Sequence, residues 1–80
     1  MPNLTRKRQH KVLVALGRAI REARQARGLS QEALALLAEV DRAHVGRVER
    51  GDSNAAALTL FQIASALNLT IAKLMQRAGL

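Results

Sequence analysis

The chain has no cysteine, no tryptophan and no tyrosine, and a single phenylalanine, Phe61. Without thiols there is neither a disulfide framework nor a thiolate metal site, and two distant histidines do not make a zinc site. No metal or other cofactor is expected. One aromatic is too few for the stacking platforms with which proteins hold single strands or read RNA. No period-two run of β-branched residues occurs, so no strand is expected. Long apolar runs are also missing: Val12 to Ile20 is broken by Gly17 and Arg18, far short of the roughly 20 residues that span a bilayer. No apolar segment of signal-peptide form follows the basic run Arg6 to Lys11, so a cytoplasmic protein without a membrane partner is expected. Neither histidine has a carboxylate or nucleophile neighbour in a motif, which argues against an enzyme.

Acidic residues are scarce as well, 6 against 13 lysines and arginines, for a formal net charge of +7. Such an excess is the electrostatic footprint of a polyanionic partner. With the stacking aromatics missing, double-stranded DNA fits that partner best. The 80 residues make one small domain whose core buries too little for generous stability, and dimerising would add to it.

The most informative stretch runs from Gly28 to Gly51. Ser30 can accept an orphan amide three residues on, and Gln31 and Glu32 suit a first helical turn, so a helix starts there. Leu34, Ala35 and Ala38 give it a narrow face that lets a second helix cross close by. That second helix is expected to be capped by Asp41, to bury Val45 and Val48, and to stop at a left-handed Gly51. Its other face carries Arg42, Ala43, Gly46, Arg47 and Arg50. A crossed pair with guanidinium groups and short side chains on one face is what the DNA major groove accepts.

Three more helices are read around this pair, for an all-α chain of five. The first, roughly Val12 to Ala26, would bury Leu13, Leu16, Ile20 and Ala23 and follow a basic flexible arm over residues 1–11. The remainder, 12–80, is read as one domain. Asn54 is read as the cap of a fourth helix burying Ala57, Leu60, Ile63, Ala64 and Leu67. Thr70 would cap a last helix carrying Ile71, Leu74 and Met75.

From about Leu16 to Met75 the sequence resembles the lambda-repressor/Cro-like helix-turn-helix proteins, the XRE family. The resemblance rests on Arg21 with Arg24, Gly28-Leu29-Ser30-Gln31, Val48-Glu49-Arg50-Gly51 and Gln62-Ile63-Ala64-Ser65-Ala66-Leu67. Asp41-Arg42, Val45 and Asn54 make the controller proteins of restriction-modification systems the most similar branch. The resemblance implies a five-helix lambda-repressor-like domain with its helix-turn-helix at about 30–50. It also implies roles. Arg42 and Ala43 match base-facing positions, while Arg47 on the same face would reach either a base or a phosphate. Gln31 matches a phosphate-touching position at a helix start, and His44 lies where relatives approach the backbone. Arg50 and Asn54 flank the following loop as further phosphate candidates, Asn54 serving either there or as a cap alone. The basic arm would either enter the minor groove or merely solubilise the chain. Arg24 and Glu49 match an ion pair that ties the first helix to the end of the third.

Three departures from the family pattern stand out. Glu39 occupies the turn position usually held by glycine, so the turn either takes a left-handed glutamate or a different geometry. Gly46 replaces a polar residue and would let the backbone approach DNA more closely. Leu36, Leu37 and Phe61 replace polar residues, and together they would make an apolar patch of the kind that marks an interface. Phe61, Ile71, Leu74, Met75 and Leu80 are taken as the dimer interface, Leu74 being equally placed for the core. The expected function is a sequence-specific transcriptional regulator, dimeric on a near-palindromic operator and without a small-molecule effector. The alternative is an antitoxin that binds a partner toxin and regulates its own operon.

Overall fold

The computed structural model describes residues 2–80, with side chains from Gln9 onward. Among these residues are five helices and no strand: α1 (Pro2–Ala26), α2 (Gln31–Ala38), α3 (Arg42–Glu49), α4 (Ala57–Ala66) and α5 (Ile71–Arg77). Each helix sends one side chain into nearly complete burial, respectively Ile20, Leu34, Val45, Ile63 and Leu74. Removing such a side chain from water stabilises the fold by about 1.5–3 kcal/mol. Alanines at 19, 23, 35, 38 and 64 fill the spaces between them and keep the helices close. Helix α2 packs on α3 and α4, α1 on α3 and α5, and α4 on α5. Helix α3 is therefore backed by two helices on its inner side, and its outer side is left exposed.

Two glycines do steric work in this arrangement. A Cβ on Gly17 would stand 2.4 Å from the Val48 carbonyl oxygen and 2.6 Å from that of Glu49. Only a bare position there lets α1 lie against the backbone at the end of α3. Gly51 combines a φ of 77° with contact to Val14, whose Cα would be 2.9 Å from an added Cβ. It thus ends α3 and seats the following loop on α1.

Every helix is followed by a residue of positive φ: Gly28, Glu39, Gly51, Asn68 and Gly79. Glu39 takes the left-handed alternative, at φ 59° and ψ 42°, and costs roughly 1 kcal/mol relative to a relaxed backbone. The caps divide. Ser30 Oγ accepts from the Ala33 amide and Thr70 Oγ1 from the Lys73 amide, both at 3.0 Å. Asp41 stands at the N-cap of α3 but its side chain makes no capping bond. Asn54 is not a cap, because the chain stays irregular to Ala56, which holds the N-cap position of α4 without a side-chain bond.

Other boundaries differ from expectation. Helix α1 continues to Pro2 where a separate arm was read. Proline fits a first helical position, and neither glycine nor a second proline interrupts residues 3–16. The side chains of Arg6, Lys7 and Arg8 lie outside the described ones, and so does their expected contact with DNA. Leu13 and Leu60 are half-buried and Ala57 is exposed, so the inner stripes of α1 and α4 are narrower than their apolar periodicity suggests.

Candidate nucleic-acid interface

Burial of Val45 and Val48 fixes the rotation of α3 about its axis, which points Arg42, Ala43 and Arg47 outward. These three line a shallow concavity together with Gln31, Gly46 and Arg50. Three guanidinium groups surround a floor made of a methyl and a bare helix backbone, and no carboxylate lines it. Guanidinium donors in that setting match phosphate oxygens and the O6/N7 edge of guanine.

The rim is braced from below. Arg24 on α1 donates to the Glu49 carboxylate through Nε at 2.6 Å and through Nη2 at 3.0 Å. Its Nη1 donates to the Leu29 carbonyl at 2.8 Å. Gln31 Nε2 is a third donor to that carboxylate, to Oε1 at 3.1 Å. With side chains only 11% and 2% exposed, Arg24 and Glu49 form a fork closed off from water. Removing one partner of such a pair leaves the other charge buried and uncompensated. One carboxylate thus joins α1, α2 and α3 and holds the Gln31 amide in place.

Two more side chains are held from within the site. The Arg47 guanidinium lies 3.4 Å from His44 Nδ1, and Arg50 Nε donates to Asp52 Oδ2 at 3.1 Å on the exposed rim. Of the residues read as phosphate-binding, Gln31 and Arg50 join the concavity. His44 meets it through Arg47, and the exposed Asn54 lies in the loop after α3, outside the lining. Sequence reasoning missed the roles of Gly17, Asp52 and the link between Gln31 and Glu49. The partners Gln31 and Glu49 are 18 positions apart, beyond any local pattern.

The proposed interface residues separate too. Phe61 and Leu80 are exposed, and Ile71 and Met75 are half-buried against the core. Leu74 is 0% exposed, so it belongs to the chain's own core and not, as expected, to an interface. Leu58, which sequence reading passed over, is exposed one helical turn before Phe61. Leu36 is exposed as well, and Leu37 and Phe61 share a groove between α2 and α4.

Residues 20–74 match the sequence profile of the HTH_3 helix-turn-helix family. The control protein C.SmaI of Serratia marcescens is 40% identical over 65 residues, which span 81% of this chain and 77% of that protein. The crystal structure of the restriction-modification controller protein C.AhdI from Aeromonas hydrophila matches with a TM-score of 0.76 at 45% identity, over 78% of this chain and 94% of that one. The clp gene regulator ClgR from Corynebacterium glutamicum matches with a TM-score of 0.81 at 26% identity, over 85% of this chain and 87% of that one.

Proposed function

The chain belongs to the HTH_3 helix-turn-helix family and is a DNA-binding transcriptional regulator, and we propose that it acts as a controller-type dimer on a near-palindromic operator. The observation that carries this reading is the convergence of Arg42, Ala43, Gly46 and Arg47 on the outward face of α3, with Gln31 and Arg50 at its rim. In this reading α3 enters the major groove. Arg42 donates twice to a guanine, Arg47 reaches a second base or clamps a phosphate, and Ala43 meets a thymine methyl. Gln31 and Arg50 grip the phosphates that set the register, and His44 and Asn54 add weaker backbone contacts.

A single helix-turn-helix reads few base pairs, whereas a two-fold dimer reads two half-sites about one helical turn apart. Phe61, Ile71, Met75 and Leu80 remain the proposed contact surface, to which the exposed Leu58 adds. Function here is binding rather than catalysis, in line with relatives that are controllers and gene regulators. No single helix among the described residues is long and apolar enough to cross a membrane, and the proposed place of action is the cytoplasm, on the DNA.

The test is a titration of the purified protein against the duplex upstream of its own gene and against random duplex, at several salt concentrations. The expected result is preference for the former by at least a thousandfold, with two chains bound per site. Equal affinity for both duplexes overturns the reading.

A further inference from the structure

Gly46 sits on the outer face of the recognition helix, yet it is buried, because its own neighbours cover it. A Cβ there would lie 3.2 Å from Arg50 Nη1 and 3.7 Å from Gln31 Oε1. The backbone does not require a glycine at this point, since Gly46 is not among the positive-φ residues. Inside a helix a glycine is one of the least favourable choices, and alanine would be better for folding. The atoms nearest the missing Cβ are ends of flexible side chains, so the fold has room for a methyl as well.

What a methyl would disturb is the placement of two groups that line the concavity. Each is tethered at one point: Arg50 through Nε to Asp52, and Gln31 through Nε2 to Glu49. The free ends, Arg50 Nη1 and Gln31 Oε1, come together over the bare surface of Gly46. We propose that Gly46 is a positioning residue for DNA binding, whose missing side chain lets the Arg50 guanidinium fold back across α3 beside Gln31. Arg50 is thereby preset to donate to one backbone phosphate, with Nη1 and Nη2 still available after Nε is engaged by Asp52. Less side-chain freedom is then lost when the phosphate arrives. This inference rests on the DNA-binding reading above and refines the work of one phosphate contact within it.

The experiment is a double-mutant cycle of Gly46→Ala and Arg50→Ala, read by duplex affinity across a salt series and by thermal melting. Gly46→Ala is expected to melt higher, by about 4–8 °C. It is also expected to bind operator and random duplex alike about tenfold more weakly with the slope of log affinity against log salt unchanged, whereas Arg50→Ala is expected to reduce that slope by about 0.9. The double variant is expected to bind no more weakly than Arg50→Ala alone. Wild-type affinity in Gly46→Ala, or losses that multiply in the double variant, overturns the proposal. Because the cycle can be read on random duplex, it succeeds or fails separately from the operator preference that tests the regulator reading.

Discussion

The chain turns sharply twice through nearly the same backbone geometry, between α2 and α3 and between α4 and α5, and the two turns are secured differently. Each has a left-handed residue, Glu39 at φ 59° or Asn68 at φ 58°, and each is closed by an amide that reaches back five residues. Val40 donates to the Ala35 carbonyl at 3.0 Å and Leu69 to that of Ala64 at 2.8 Å. The second turn uses residues suited to it locally. Asparagine tolerates the left-handed region, and Thr70 caps the next helix. The first uses a glutamate in the strained position and an aspartate that makes no capping bond. Further support lies at the far ends of the two helices, where the buried Arg24 and Glu49 pair ties the start of α2 and the end of α3 to α1. The helix pair around the first turn is thus held chiefly by tertiary structure. The second turn is held mainly by its own residues, helped by Arg27, which donates to the Leu67 carbonyl at 3.3 Å.

The sharpest way to break this contrast is Arg24→Ala. It leaves Glu49 buried with Gln31 as its remaining side-chain donor, so urea unfolding is expected to show a loss of about 3 kcal/mol. Pairing it with Glu49→Ala should restore part of that loss, and a purely additive double variant would mean the pair is not the clamp. The caps come next. Thr70→Ala is expected to cost about 1 kcal/mol, and Asp41→Ala only a few tenths, by the same unfolding measurement. Equal costs at the two sites would erase the difference between the turns. The smallest effect is at the left-handed positions. Glu39→Gly should stabilise by about 0.5 kcal/mol, the relief of strain exceeding the cost of the entropy that glycine adds to the unfolded chain, whereas Asn68→Gly should be close to neutral. Differential melting of the two variants checks this.

The same contrast explains how much could be read in advance. Whatever is encoded within a few residues was legible: five helices, the caps Ser30 and Thr70, the stop Gly51, and the split between the buried valines and outward arginines of α3. The positions of Arg24 and Glu49 came from family resemblance, and the structure sets them in contact. What long-range packing decides was not legible. Gly17 looks like an interruption of α1 until α3 is laid against it. Asn54 looks like a cap until the loop is seen to run on to Ala56. Leu74 satisfies an apolar surface stripe and a core position equally, and only the packed fold places it at 0% exposure. Gly46 likewise reads as a place for close approach of the backbone to DNA until Arg50 and Gln31 are seen above it.

Sequence reading by α3 is the central claim, and Arg42 carries the largest part of it. The decisive measurement is the ratio of operator to random-duplex affinity for Arg42→Ala beside wild type, at one fixed salt concentration. A side chain that donates twice to a guanine should lower that ratio at least about fivefold when removed, since each such contact contributes about 1–3 kcal/mol of discrimination. An unchanged ratio, with both affinities reduced alike, would contradict the account and reduce Arg42 to a phosphate contact.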